Sequence, residues 1–152
     1  MRDDEFYMRA AISEAKRAGK KGEVPVGAVI VRGDKIVGRG HNTRETKRNA
    51  LNHAELIAIN RACKKLRQWR LLDCVMYVTL EPCVMCHGGI INARIKRVVF
   101  GAQDAKAGAM GSLLDLGEYS FNHKTEVVPG VLAEESKKLL QDFFAELRNR
   151  KK

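Results

Sequence analysis

The stretch Val75-Met76-Tyr77-Val78-Thr79-Leu80-Glu81-Pro82-Cys83-Val84-Met85-Cys86 changes character halfway along. Its first six residues are rich in apolar, β-branched and aromatic side chains, which predicts a buried strand. Pro82 suits the first turn of a helix because its missing N–H has no partner there anyway. We therefore expect Pro82 to open a helix that runs to about Asn92. Cys83 and Cys86 are three residues apart, so they share one face of that helix and can bind one metal ion.

Segments of strand and helix character alternate outward from this stretch. Apolar, β-branched segments predict five strands, at residues 24–31, 36–40, 75–80, 97–100 and 125–128. Helical periodicity predicts four helices, at residues 4–18, 53–66, 82–92 and 134–148, and a short helical piece after the glycine-rich loop 101–112.

This alternation predicts an α/β fold. We expect a three-layer α/β/α sandwich with a mixed five-stranded sheet, largely parallel, in which an opening hairpin contributes one antiparallel pair. No internal repeat, low-complexity tract or linker-like stretch divides the sequence. A single domain over residues 1–152 is therefore the expectation.

Basic residues are concentrated in two regions. The chain has 28 Lys and Arg against 18 Asp and Glu, a formal net charge of +10. Residues 44–70 contain eight basic residues and only two acidic ones, and Arg148, Arg150, Lys151 and Lys152 end the chain. Such clusters favour binding to nucleic acid through phosphate contacts, and a solvated basic surface is the alternative.

The sequence lacks the features of a secreted or membrane protein. Four of the first five residues are charged, and no apolar run approaches the roughly 18 residues that span a membrane. We expect a cytoplasmic protein with no membrane partner. In that reducing compartment, metal binding or burial must explain the four cysteines, at positions 63, 74, 83 and 86.

The segment His53-Ala54-Glu55 begins another predicted helix and supplies a third ligand, His53. Three protein ligands leave one position on zinc for a water molecule, whose pKa falls from about 15.7 to about 7. Cys63 lies about 15 Å from His53 along the helix, Cys74 lies roughly 20 Å away at the far end of its strand, and His87 points off the ligand face. We therefore expect an open zinc site and two buried cysteines.

Glu55 lies two residues from His53 and can move protons between water and substrate as a general acid and base. A helix-start carboxylate that interacts with the helix dipole is the alternative. His-x-Glu followed about thirty residues later by Pro-Cys-x-x-Cys is the signature of the zinc nucleobase deaminases.

Several further segments resemble the bacterial tRNA-specific adenosine deaminases, which belong to the cytidine deaminase-like superfamily. Besides the two motifs above, they are Val24–Ala28, Tyr77–Cys86, Arg97–Gly101, Asp104–Lys106, Gly111–Leu113 and Phe121–His123. The resemblance covers nearly the whole chain. It implies a cytidine deaminase-like fold, one Zn²⁺ per subunit and a homodimer. The implied reaction converts adenosine to inosine at the wobble position of an arginine tRNA anticodon.

The same resemblance assigns residues to the substrate. Asn42 is expected to hold the adenine, although an Asn can instead stabilise its own turn. Val26, Ala54 and Pro82 are expected to contact the base, with core packing as the alternative for Val26.

The remaining candidates lie farther along the chain. Asp104 and Lys106 are expected to face the flanking nucleotides, and a flexible loop without a ligand is the alternative. Arg148 and Arg150 are candidate RNA contacts at the end of the last helix. The helical spacing of the apolar residues in this helix predicts that they face inward, namely Leu139, Leu140, Phe143, Phe144 and Leu147. Phe143 and Phe144 can instead stack on bases, although core packing is expected for at least one of them. Glu81 has either a bracing or a purely structural role.

Two other functions fit parts of this pattern. A small-molecule deaminase acting on cytidine, deoxycytidylate or guanine would carry the same zinc signature, but the basic clusters count against it. A zinc-stabilised RNA-binding module without enzymatic activity would require a fourth protein ligand and would leave Glu55 without a role.

Overall fold

The computed structural model describes residues 2–150, so the predicted basic residues Lys151 and Lys152 lie outside the described part. Along the chain, its elements are α1 (Asp4–Lys20), β1 (Gly27–Arg32), β2 (Lys35–His41), α2 (Ala54–Leu66), β3 (Cys74–Leu80), α3 (Val84–Asn92), β4 (Arg97–Ala102), β5 (Glu126–Val128) and α4 (Ala133–Arg150), with a short 3-10 helix at Leu116–Glu118 before β5. None of the helices within residues 2–150 is long and apolar enough to cross a membrane.

The five strands form one mixed sheet in the order β2-β1-β3-β4-β5, which confirms the predicted fold class. The expectation of a largely parallel sheet with one antiparallel pair is wrong. Strand β1 runs antiparallel to both β2 and β3, while β3–β4 and β4–β5 are parallel pairs. The reason is that the crossover through α2 carries the chain from β2 past β1 to β3, so the two strands that it joins are not neighbours.

Side chains alternate between two buried cores on opposite faces of the sheet. Ala28, Ile30 and Met76 pack with α2 and α3 on one face. Val29 and Tyr77, their neighbours along the strands, pack with α1 on the other face, where Leu139 of α4 also lies. The period of two follows from the pleat of a strand. Helices on both faces make the three-layer α/β/α sandwich that the sequence predicts.

Two glycines of β2 let α2 lie directly on the sheet. A Cβ atom at Gly38 would come within 2.4 Å of the Ala58 carbonyl oxygen, and one at Gly40 within 2.4 Å of the Ala54 carbonyl oxygen. Any side chain at these positions would push the helix away from the strand. Because Ala54 is the first residue of α2, the contact at Gly40 places the start of that helix against β2.

Two sequence expectations about helices are wrong in detail. Helix α3 begins at Val84 with Cys83 as its N-cap, so Pro82 precedes the helix instead of opening it. In α4, Phe144 and Leu147 are 40% and 38% exposed, although their spacing predicts inward packing. Helix α4 is about 27 Å long and the six-residue strand β4 beneath it is about 20 Å long, so the end of the helix extends beyond the sheet.

A cluster centred on Asp4 ties the start of α1 to the sheet. Arg97 donates two hydrogen bonds to the Asp4 carboxylate, at 2.9 and 2.7 Å, and the Tyr77 hydroxyl donates a third at 2.8 Å. The hydrogen bonds from Arg97 hold the pKa of Asp4 below its usual value of 3.8. The carboxylate is therefore charged at neutral pH and stabilises the folded state.

We predict that Asp4→Asn lowers the free energy of unfolding by about 1–2 kcal/mol at pH 7, because a charge-assisted bidentate pair is lost from a partly exposed site. A group whose pKa is depressed on folding stabilises above its unfolded-state pKa, and this contribution is lost as the pH falls through the folded-state pKa. The difference between variant and wild type should therefore shrink in acid.

Urea unfolding at pH 7 and in the acid range measures this difference. The control is Glu5→Gln, an exposed change in the same helical turn, which should alter the free energy of unfolding by only a few tenths of a kcal/mol. Equal effects of the two variants at pH 7 would contradict the assigned role of Asp4.

Candidate active site

Two helix starts meet at one edge of the sheet. His53 is the N-cap of α2, and Cys83 is the N-cap of α3, with Cys86 in the first turn of that helix. Strands β2 and β3 both run antiparallel to β1, so they are parallel to each other and their carboxyl ends lie at the same edge. The loops that leave these ends deliver both helix starts to one place.

The three side chains come together in a geometry that suits zinc. One ligand atom from each of His53, Cys83 and Cys86 lies within 4.8 Å of the others. His53 Nδ1 is 3.6 Å from the Cys83 sulfur and 3.5 Å from the Cys86 sulfur. In a tetrahedral site with Zn–N of about 2.05 Å and Zn–S of about 2.3 Å, these separations would be about 3.6 Å. The donor set and its spacing therefore fit a zinc ion.

The electrostatics of the two thiols also favour a cation. The Cys83 thiol interacts with the Cys86 side chain and with the His53 ring. These two interactions lower the pKa of Cys83 to about 4. The pKa of Cys86 is raised, first by its interaction with Cys83 and then by burial. One thiolate forms readily, and a bound divalent cation would supply the positive charge that stabilises the second.

Glu55 lies in the first turn of α2 and is buried. Burial raises the pKa of its carboxyl group to about 7, and the nearby His53 partly offsets this effect. A carboxyl group with a pKa close to neutral can both accept and release a proton at physiological pH. The environment of Glu55 therefore suits proton transfer.

We call His53, Cys83 and Cys86 the metal-binding group, because their side chains could hold one metal ion. A cavity of about 160 Å³ lies between this group and the surrounding loops. Among the predicted site residues, those that line it are Val26, Asn42, His53, Ala54, Glu55, Cys83 and Asp104. The other predicted site residues, Pro82, Cys86, Lys106, Arg148 and Arg150, do not line it. Residues that the sequence analysis did not assign to the substrate also line it, namely Val24, Arg44, Leu80, Glu81 and Ala107. Two features of the sequence could have pointed to some of these residues. Val24 belongs to the same motif as Val26, and Arg44 begins the basic cluster.

Asn42 and Asp104 both stabilise their own turns. The Asn42 side-chain oxygen accepts a hydrogen bond from the Arg44 amide at 3.1 Å, and its amide group donates to the Val24 carbonyl at 3.4 Å. The Asp104 carboxylate accepts from the amides of Lys106 and Ala107. The turn-stabilising alternative for Asn42 is thus realised, in a residue that also lines the cavity.

Glu81 and His87 hold the loop that closes the other side of the cavity. The buried Glu81 carboxylate accepts hydrogen bonds from the amides of Asp104, Met110 and Ser112, and from the Ser112 hydroxyl. The buried His87 ring is 2.8 Å from the Ala109 carbonyl oxygen and donates to it through Nδ1. Glu81 therefore braces the loop that carries Asp104, and His87 is not part of the metal-binding group.

The predicted RNA contacts are divided between two surfaces. Lys106 and Arg148 line one groove, together with Lys137 and the exposed Phe144. Arg150 lines another with Gly19 and Phe143, and its guanidinium is 2.6 Å from the Glu146 carboxylate. The structure thus brings Lys106 and Arg148 together but separates them from Arg150.

The other two cysteines lie outside the metal-binding group. Cys74 is buried, as predicted, whereas Cys63 is only half-buried. Within residues 2–150 the group has three members, and the nearby His87 is hydrogen-bonded to the Ala109 carbonyl oxygen instead. The fourth ligand that a purely structural zinc site would need is therefore not supported by the described residues.

Comparison with known proteins agrees with this geometry. Residues 2–148 match the family model of the MafB19-like deaminases. The tRNA-specific adenosine deaminase of Bacillus subtilis is 52% identical over 153 residues, which cover 100% of this chain and 95% of that protein. The Haemophilus influenzae protein of the same name is 46% identical, over 98% of this chain and 87% of its own length.

Two solved structures have the same fold as this chain. One from a study of A-to-I editing by tRNA:A34 deaminases superposes with a TM-score of 0.82 and 38% identity, covering 89% of this chain and 99% of that one. A guanine deaminase from Nitrosomonas europaea superposes with a TM-score of 0.81 but only 23% identity, over 95% of this chain and 86% of its own, so it shares the fold alone. The chain therefore belongs to the MafB19-like deaminase family and, within it, groups with the tRNA-specific adenosine deaminases.

Proposed function

We propose that this enzyme hydrolytically deaminates adenosine to inosine at the wobble position of a tRNA anticodon, with an arginine tRNA as its substrate. The observation that carries the proposal is the buried Glu55 carboxyl group beside a three-membered His/Cys/Cys group in a small cavity. The 52% identity to a protein named tRNA-specific adenosine deaminase supports tRNA as the substrate, and the likeness to a structure from a study of tRNA:A34 deaminases supports the wobble position.

His53, Cys83 and Cys86 would hold one zinc ion per chain through Nδ1 and two sulfur atoms. Bound zinc supplies a water molecule of lowered pKa that is nucleophilic at neutral pH. Glu55 accepts a proton from the attacking water at its carboxylate. It returns protons to the purine ring nitrogen and then to the leaving amine, so that adenosine and water give inosine and ammonia.

The walls of the cavity orient the base. Val26 and Ala54 offer apolar contact to its faces, and Pro82 lies next to the metal-binding group in sequence. Asn42 offers an amide at the rim, where an amide can both donate to and accept from a purine edge. An unpaired anticodon base costs little to extract because it is not held in a duplex.

The surface around the cavity binds the rest of the RNA. Lys106 and Arg148 contact phosphates along the groove that they share, and Asp104 faces the flanking nucleotides. Arg150 contributes from its separate groove. The enzyme acts as a homodimer in the cytoplasm, and the exposed apolar side chains Leu113, Tyr119 and Phe121, which are 50–65% exposed, are the kind of surface that a subunit contact covers.

We predict that the purified protein contains one zinc ion per chain and that Cys86→Ala loses it, because two remaining ligands cannot hold the ion tightly. Elemental analysis after dialysis measures the zinc content. Cys63→Ala is the matched control, because it removes a half-buried cysteine outside the group, and it should retain zinc. Full zinc content in Cys86→Ala would contradict the assigned ligand set.

We predict that the protein converts the wobble adenosine of an arginine tRNA to inosine, and that Glu55→Gln lowers kcat by at least about a hundredfold. The variant keeps the shape of the side chain but cannot take up a proton, so zinc content and RNA binding should persist. Sequencing the product tRNA detects inosine at the wobble position, and single-turnover kinetics give the rate.

The same assay separates the rival substrates. Parallel reactions with cytidine, deoxycytidylate and guanine are followed by ammonia release. Turnover of one of these without inosine in tRNA would replace the proposed function by a small-molecule deaminase. Wild-type inosine yield from Glu55→Gln would remove Glu55 from the reaction while leaving the substrate in place.

We predict that Lys106→Ala and Arg148→Ala each weaken binding of the anticodon stem-loop and each reduce the slope of log affinity against log salt by about 0.7–1, since each removes one phosphate contact. Fluorescence anisotropy over a range of salt concentrations measures both. Lys138→Ala is the control: Lys138 lies on the same helix as Arg148, but its ammonium group pairs with Asp142 at 3.1 Å. Unchanged slopes in the first two variants would exclude this groove.

A further inference from the structure

Glu23 is a buried carboxylate that the chemistry described above does not use. Its side chain is 2% exposed, and it immediately precedes Val24, which lines the cavity. Its own amide donates to the Ala18 carbonyl at 3.0 Å, which fixes the residue to the end of α1. A charged group this deeply buried costs stability unless its hydrogen bonds compensate for the lost hydration.

The compensating donors all lie on one loop, more than twenty residues away in sequence. The amides of Glu45 and Thr46 donate to the two Glu23 carboxylate oxygens at 3.2 and 2.6 Å, and the Thr46 hydroxyl donates to one of them as well. Burial alone would raise the pKa of Glu23, but the hydrogen bonds from Thr46 and Glu45 outweigh it and keep that pKa below 4.5. The group is therefore an anion matched to three donors.

The loop that Glu23 holds, residues 42–52, is an internally hydrogen-bonded unit. The Lys47 amide donates to the Thr43 carbonyl at 2.9 Å, the Asn49 amide to the Arg44 carbonyl at 3.0 Å, and the Thr43 amide to the Asn52 carbonyl at 3.1 Å. Its two ends lead directly into the site, because Asn42 and Arg44 line the cavity and His53 follows Asn52. A displacement of the loop as a unit would therefore move groups at the cavity rim.

We propose that Glu23 is a positioning residue for the substrate: by holding Glu45 and Thr46, it sets the position of Asn42 and Arg44 at the rim of the cavity. The inference rests on the proposed function, since it concerns the placing of an RNA-borne base in that cavity. Glu23 acts on substrate affinity through the loop and touches neither the reacting atoms nor the metal-binding group.

The test uses the full-length, zinc-loaded enzyme and an anticodon stem-loop with adenosine at the wobble position. In Glu23→Gln, one carboxylate oxygen becomes an amide that cannot accept from the loop donors. We expect KM to rise about tenfold, the loss associated with hydrogen bonds to a charged group, while kcat stays within about twofold and zinc content is unchanged. Thr46→Val, which removes only the hydroxyl donor, should give a smaller rise, and Thr46→Ser should restore the wild-type KM.

Hydrogen exchange across residues 43–50 provides a second readout that does not depend on activity. The amides of Glu45 and Thr46 should exchange faster in Glu23→Gln than in wild type. Asp4→Asn is the control for general destabilisation, because its partner Arg97 begins β4 at the opposite end of the strands from the site. It should lower stability without changing KM or exchange in this loop.

The outcomes are distinct. A folded Glu23→Gln with wild-type KM, or with lowered kcat and unchanged KM, overturns the positioning role. If Glu23→Gln does not fold, the comparison of Thr46→Val with Thr46→Ser decides the question in the same way. If the wild-type protein makes no inosine, the proposed function fails. The role of Glu23 is tested separately by hydrogen exchange: unchanged exchange of the loop amides in Glu23→Gln would show that Glu23 does not hold the loop.

Discussion

One requirement organises the structure: an imidazole nitrogen and two sulfur atoms must lie about 3.6 Å apart, although His53 and Cys83 are thirty residues apart in sequence. Two helix starts must therefore meet at one sheet edge. Gly40 makes this possible on one side, because the absence of a side chain lets the first turn of α2 rest on β2. On the other side, only two residues lie between the end of β3 and the N-cap of α3. The packing of helices on the sheet thus brings the three side chains within reach of one metal ion.

Three buried carboxyl groups lie around the cavity, and their different environments give them different pKa values. Glu23 and Glu81 each accept several hydrogen bonds from one loop, which keep their pKa values low despite burial. For Glu55 burial outweighs the opposing effects of its own backbone amide and of His53, and its pKa rises to about 7. The first two are therefore fixed anions that hold the walls of the cavity in place, while the third can change its protonation state. Pairs of carboxyl groups whose environments separate their pKa values are typical of acid–base sites.

What the sequence could predict followed from local patterns. Spacing on helix starts was sufficient to bring His53, Cys83 and Cys86 into one group, and strand and helix periodicity was sufficient for the α/β/α layers. The pairing of β1 with β3 was not predictable in this way. The residues of the two strands do not indicate that the connection through α2 passes over β1 and places β3 on its far side. Arg44 and Ala107 reach the cavity through loops whose path depends on the buried Glu23 and Glu81 carboxylates. The exposure of Phe144 depends on how far α4 extends beyond β4, a relation between two lengths that helical periodicity does not contain.

The size of the cavity bears on how substrates are distinguished. Pockets that enclose whole small molecules commonly measure about 300–1,000 Å³, whereas this one is about 160 Å³, suited to a base with its sugar and phosphates left outside. The cavity therefore has room for little more than the base itself. Discrimination between a free base and one carried by RNA has to come from the outer surface. There the groove between Lys106 and Arg148 joins positive charge to the exposed ring of Phe144, a combination that suits a phosphate backbone and its unstacked bases.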